Sequence, residues 1–465
     1  MLQAAWIALS GRYPMAFDED FHFGLIKIYS NHFSPFWNSH LEGSEAYGAI
    51  SRDPSYMYHL VFGGIYKVIK VFTENLYYQV MTLRFINIGL FATGIIIFNR
   101  LLLKTKMSQR LINYVLFVFI LIPVVPLLGA QINYDNLMFP LVGISLLLAL
   151  KVSETLKSKK PSLSTILTFI FMLLIISLVK YAFLPIAVAA VLFLLFYNRQ
   201  GYRKLFSKKS IVRAFNDSNK GLILLLTMGI VIFASLHIER YGVNLINYHK
   251  PVADCSEVLN YDKCQSYGPW IRDYNFEKAK PQNANTSIVR YMPEWVYGMW
   301  FRSFFSVDGP GTLYQTRGPL LYPALISIFM LIISPIIVLI SYKKILKMYS
   351  KPTIYLFSAV IIIYVLSLWL EEFRLFRKTA QPVAINGRYL VLIMPLMFGL
   401  IAMSFSELIK GKLRYVLACI VLFMLLFGGG ASTYILRSNS AWYWPNSDFI
   451  NHVNWTLQRT IGPLT

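Results

Sequence analysis

Asp18, Glu19 and Asp20 lead directly into Phe21, His22 and Phe23, so three carboxylates and an imidazole fall within five positions. In a chain of which only 14% is charged, that concentration marks a place where protons could be moved. The Asp-Glu-Asp triplet invites comparison with the D-x-D signature that holds a metal and a nucleotide-sugar. A lone acidic triplet is as often a solvated turn, so the polar residues elsewhere in the chain decide between the two.

A second polar set sits at the ends of apolar stretches. Asn133-Tyr134-Asp135-Asn136 separates two of them and Lys180-Tyr181 separates another two. Arg84 lies in the first turns of a third, and Arg374, Arg377, Lys378 and Arg388 stand in the loop before a late one that opens at Tyr389. Each has a structural explanation: Arg84 can snorkel, Lys180 can cap a helix and Asp135 can be an N-cap. Charge that enters an apolar span is unfavourable, however, and its default reading is functional.

The residue types are chemically complementary. Asp18 is expected as the general base on a hydroxyl. Glu19 and Asp135 are expected to orient the acceptor or to raise the base's pKa, as neighbouring carboxylates do. Arg388, Lys180 and Arg84, in that order, are expected to grip a lipid-linked phosphate and stabilise the charge it gains on leaving, with Tyr389 and His22 beside them. His22 is expected as a hydrogen-bonding partner, with a divalent-metal ligand role as the lesser alternative. No cofactor is called for with certainty, and a divalent metal is not the favoured reading. Such a set suits transfer from a lipid-linked donor, where neither ATP nor nucleotide-sugars are at hand.

The elements that position these residues are membrane helices. The 465 residues are 56% hydrophobic, with a mean hydropathy of +0.52, and the apolar residues come in long blocks. The blocks run from about Val80 to Leu103, Leu111 to Leu128, Leu137 to Leu150, Leu163 to Val179 and Ala182 to Tyr197. They continue from Gly221 to Leu236, Leu320 to Ile340, Thr353 to Leu370, Tyr389 to Met403 and Tyr415 to Tyr434. The expected fold is an all-α polytopic membrane protein of about 10–11 transmembrane helices.

The net charge of +22 points to topology rather than to nucleic acid. Lysines and arginines crowd every second loop, after Leu103, Leu150, Tyr197, Ile340 and Met403, which makes those loops cytoplasmic. The remaining segments are then extracytoplasmic. These are 13–79 with the acidic motif, 237–319 as one large loop, and the tail 435–465, whose Trp442, Trp444 and Trp455 are expected at the interface. The spans 80–236 and 320–434 complete a single membrane-embedded domain. The stretch Pro54 to Phe72 holds His59, Lys67 and Lys70 and is expected as an amphipathic helix on the outer surface. Met1 to Ser10 is apolar but spans half a bilayer, and is expected as a truncated first helix. Cys419 is expected as packing. A bond between Cys255 and Cys264 is expected only if their loop faces an oxidising compartment.

In order along the chain these residues are similar to the motifs of a known superfamily. Asp18, Glu19, His22 and Phe23 match D-E-x-x-H-F, and Pro54-Ser55-Tyr56-Met57-Tyr58 resembles the amphipathic stretch that follows it. Asn133 to Asn136 matches an Asn-x-Asp-Asn turn, and Gly387-Arg388-Tyr389-Leu390 a late G-R-Y-L. The chain resembles the GT-C superfamily of membrane glycosyltransferases, which includes the protein O-mannosyltransferases and the aminoarabinose transferase. It looks closest to a bacterial branch of membrane proteins of unknown function. The resemblance implies a plasma-membrane enzyme with Asp18 as base, a polyprenyl-phosphate-sugar donor and inversion at the anomeric carbon. The acceptor would be an envelope glycan, lipid or protein outside the cytoplasm. The alternatives are a polytopic transporter or flippase, whose charges would lie within broken spans, and a non-catalytic subunit of an envelope-polymer assembly machine.

Overall fold

The computed structural model describes residues 1–465 apart from 16–17, 38–40, 158–161, 200–214, 216–218, 302, 304–320, 428–442, 446 and 462–465. Its helices follow the chain as α1 (Leu2–Ser10), α2 (Glu19–Asn31), α3 (Met57–Phe72), α4 (Leu76–Leu103), α5 (Gln109–Leu121) and α6 (Val124–Gly129). Then come α7 (Asp135–Lys157), α8 (Leu163–Val179), α9 (Leu184–Tyr197) and α10 (Lys220–Tyr248), the last with a π-helical turn at Ile238–Gly242. Short helical turns at Cys255–Val258 and Tyr261–Cys264 lead to α11 (Gly268–Lys278) and α12 (Ile288–Val296). The chain closes with α13 (Leu321–Met348), α14 (Lys351–Thr379), α15 (Met394–Leu408), α16 (Leu413–Phe427) and α17 (Asp448–Thr460). Among the described residues there is no strand, only a bridge between Gly11 and Tyr443.

Among the described residues, five helices are long and apolar enough to cross a bilayer: α4, α7, α10, α14 and the part of α13 from Leu325 to Met348. Five shorter apolar helices accompany them, including α5, α8 and α15. The chain is an all-α polytopic membrane protein. Side-chain oxygens start several of these helices: Asn75 caps α4, Ser108 caps α5, Ser162 caps α8 and Asn219 caps α10. The centre is aromatic, with Phe139 of α7 stacked at 4.7 Å on Phe91 and 4.5 Å on Phe98 of α4.

Several expected boundaries are corrected. The block Leu111 to Leu128 is two helices, because Pro123 cannot continue α5. The block from Tyr389 opens with a 3-10 turn, Gly387–Leu392, before α15. Arg374, Arg377 and Lys378 are not in a loop but extend α14 to Thr379. Cys419 is exposed on α16 rather than packed. The end of the expected large loop (304–319), the last turns of the Tyr415 block and Trp442 lie outside the described residues. Trp444 meets the edge of Tyr77 at 5.1 Å, and Trp455 is exposed.

The helix ends sort into two groups. At one end, Thr353 of α14 donates to the Lys104 carbonyl at 3.0 Å and Lys104 pairs with Glu154 of α7 at 3.5 Å. The basic segment after α4 and the last turns of α7 therefore meet the start of α14. Arg84 and Asp135 lie at the opposite ends of α4 and α7. Along α4 the separation from Arg84 to Lys104 is roughly 30 Å at 1.5 Å per residue. α3 lies at that second end, against α2. It buries His59 while leaving Lys67 and Lys70 exposed together with Val68, Val71 and Phe72. This amphipathic split matches a helix lying in an interface.

Candidate functional site

Two buried or half-buried ion-pair levels converge at the second end of the bundle. The deeper one joins Glu19 to Arg84, both side chains fully buried. Arg84 Nε donates to Oε1 at 2.8 Å and Nη2 to Oε2 at 2.7 Å, the bidentate geometry natural to a guanidinium and a carboxylate. Arg84 Nη1 also donates to the carbonyls of Ala8 and Gly11, and the backbone N–H groups of Met15 and Ile132 donate to Glu19. A charge placed in the first turns of a membrane helix is thus neutralised and satisfied on the spot. The pair ties α1, α2, α4 and the segment before α7 into one unit. The expected roles of Arg84 on a lipid phosphate and of Glu19 on an acceptor do not fit this placement, because both groups spend their hydrogen bonds inside the protein.

The upper level is open. Asp18 precedes α2 in the left-handed region, at φ 67° and ψ 31°, with no cap bond from its side chain to α2. An aspartate tolerates that conformation better than most residues, yet it still carries strain of about 1–3 kcal/mol. Its carboxylate is 57% exposed and accepts from Arg388 Nη2 at 2.6 Å, whose own side chain is only 10% exposed. Arg388 is set by the 3-10 turn: its N–H donates to the Asn386 side chain, and the Tyr364 hydroxyl donates to the neighbouring Tyr389 carbonyl. The guanidinium lies 5.1 Å from the Tyr389 ring centre.

Beside this pair lies a third. Lys180 sits at the break between α8 and the turn Tyr181–Phe183, with extended backbone, and donates to Asp135 Oδ1 at 2.6 Å. Both side chains are almost fully buried. The ammonium stands 4.3 Å over the Tyr134 ring and 5.5 Å from that of Tyr389. Burial lowers the Lys180 pKa, against the opposing pull of the Asp135 carboxylate. Asp135 is therefore a partner that holds Lys180, not a free carboxylate facing an acceptor.

His22 meets the Tyr134 ring at 4.3 Å and shares a 3.0 Å hydrogen bond from its Nδ1 to His59 Nε2. Burial holds His22 well below its usual range, reinforced by His59 and by the charges of Arg388 and Lys180. Burial likewise presses His59 down to about 3. Among the described residues no three His, Cys, Asp or Glu side chains gather in a metal-holding group. His22 takes a hydrogen-bonding role here, in contact with the aromatic wall.

The sequence reading thus brought Asp18, His22, Arg388, Tyr389, Lys180 and Asp135 to one place, with Glu19 and Arg84 beneath them. It missed three contributors. Tyr134 lies inside the Asn133–Asn136 motif and forms the ring between Lys180 and His22. His59 was visible as a polar residue in an apolar helix. Asn87, three positions after Arg84 on the same face of α4, accepts from the Tyr58 hydroxyl at 3.0 Å and from Asn136 at 3.3 Å. No protein-family model matches this chain, and no curated protein or solved structure matches it either.

Proposed function

We propose that the chain is an integral membrane glycosyltransferase that moves a sugar from a polyprenyl-phosphate donor to a cell-envelope acceptor on the extracytoplasmic face, with inversion. The observation that carries this reading is the exposed Asp18 carboxylate set on Arg388, with Lys180 beside them, at the end of the bundle away from the basic segments. A base next to two cations is what the reaction needs. Asp18 takes the proton of the acceptor hydroxyl as its oxygen bonds to the anomeric carbon. The bond from that carbon to the phosphate oxygen breaks on the opposite face, and its electron pair leaves on the phosphate. Arg388 and Lys180 hold that developing charge.

A phosphate taking over the Arg388 guanidinium releases Asp18 to act as base. Asp135 orients Lys180, and Glu19 with Arg84 fixes the start of α2 on α4. The positive-inside rule supports an extracytoplasmic site, and the Cys255–Cys264 bond in the segment after α10 agrees with an oxidising compartment.

The test is transfer of radiolabelled sugar from a panel of polyprenyl-phosphate donors in membranes holding the wild-type chain or Asp18→Asn. Label reaching an acceptor with the wild type and not with Asp18→Asn supports the reading. Equal transfer by both removes Asp18 from the chemistry.

A further inference from the structure

The Cys255–Cys264 bond closes a lobe whose helical turns, Cys255–Val258 and Tyr261–Cys264, bury both cysteines and Leu259 against Ala49, Tyr267 and Trp270. Contacts on two sides join this lobe to the rest of the molecule. At its far side Glu277 of α11 pairs with Lys378 of α14 at 2.9 Å, and Lys280 donates to the Arg377 carbonyl at 2.7 Å. At its near side stands Tyr267, whose N–H donates to the carbonyl of the bonded Cys264 at 3.0 Å.

The Tyr267 ring reaches the first turn of α2. Its centre is 6.3 Å from that of Phe21, which in turn is 5.7 Å from Tyr47. The ring also stands close to Gly48, where a Cβ would come to 3.0 Å from its carbons and where φ is +74°. The conformation favours glycine there, and a Cβ would press on the ring. Phe21 stands between Asp18 and His22 in sequence, and His22 N–H donates to the Asp18 carbonyl at 3.0 Å. Burial raises the Tyr267 hydroxyl pKa, and Asp53, Tyr181 and Asp18 add to the effect.

We propose that Tyr267 is a positioning residue: fixed by the Cys255–Cys264 bond, its ring braces Phe21 and so holds the first turn of α2, and Asp18 with it, against the cations. The need for such a brace follows from the local backbone. Asp18 holds a left-handed conformation with no side-chain cap bond, and its carboxylate is tied to Arg388 by the ion pair. A base displaced by even an ångström loses much of its effect. The brace rests on the transferase reading only where activity is measured.

Amide hydrogen exchange over residues 22–28 tests it in the full chain in nanodiscs. The samples are wild type, wild type with dithiothreitol, Cys255→Ser/Cys264→Ser, Tyr267→Ala and Tyr267→Phe. Exchange in that segment is expected to rise several-fold on reduction, in the serine pair and in Tyr267→Ala. Tyr267→Phe, which keeps the ring, stays at wild-type protection, and so do α4 and α7 in every sample. Unchanged protection in Tyr267→Ala overturns the brace, as does a rise spread over the whole molecule, which would make Tyr267 a general fold residue. In the transfer assay Tyr267→Ala is expected to lower kcat at least roughly tenfold at an unchanged donor KM. A wild type that transfers nothing overturns the transferase reading, while the exchange result still decides the brace.

Discussion

Glu19 and Asp18 are neighbours with opposite destinies, and the difference is solvent. Glu19 is sealed on Arg84, so removing either partner leaves a buried charge unpaired. Arg84→Ala or Glu19→Gln is expected to cost about 3–5 kcal/mol, read as a lower Tm in detergent. A Tm within a degree of wild type would contradict the buried pair. Asp18→Asn changes an exposed carboxylate and leaves an amide oxygen to accept from Arg388, so its Tm is expected to fall less than in the buried-pair variants while activity is lost. The histidines add a pH dependence. Both pKa values are lower in the folded chain than in the unfolded one, whose histidines titrate near 6.5. The unfolded state therefore binds more protons as the pH falls. Stability is whole above about pH 6.5 and is lost progressively below it, toward about 3 for His59. Tm measured from pH 7 to 4 should fall, and more gently in His59→Gln. The acidic cluster was legible in the sequence because charge is scarce there. Which carboxylate would be buried was not, since one step along a helix turns a side chain by about 100° and only tertiary contacts choose the face.

At the scale of elements, the site depends on how α2 seats on α3. A Cβ at Gly63 of α3 would lie 2.9 Å from the backbone of Tyr29, so the two helices touch through that glycine. Gly63→Val is expected to push α2 outward, costing about 1–3 kcal/mol by overpacking and reducing transfer, with Tm and initial rate as readouts. Wild-type values for both would show that α2 is not held there. The apolar blocks announced the helices, because some twenty residues without charge have few soluble uses. Breaks were harder to see. Pro123 ends α5 as its missing N–H requires, but Lys180 ends α8 with no such mark. Arg374, Arg377 and Lys378 read as a loop because charge usually stops a span, yet α14 simply continues past the apolar stretch.

For the whole molecule, the account requires the two ends of the bundle to face different compartments. In a Cys419→Ser background, Glu42→Cys and Lys106→Cys place single exposed thiols at the site end and the basic end. An impermeant maleimide added outside intact cells is expected to label the first and not the second. Labelling of the second alone would invert the topology and remove the site from the extracytoplasmic face. The charge asymmetry between loops is what assigns this orientation in the sequence, and the labelling tests it. The lobe around Cys255 and Cys264 was not readable, because its place over α2 rests on single ring contacts across more than two hundred residues of chain.

The most direct test of the central claim uses purified chain in proteoliposomes carrying a polyprenyl-phosphate sugar labelled in its headgroup. The label is followed both as transferred product and as intact donor crossing the bilayer. The account predicts that the wild type cleaves the donor and delivers the sugar to acceptor, and that Asp18→Asn binds the donor without cleaving it. Intact donor moved across the bilayer with no sugar released would contradict it and make the chain a transporter.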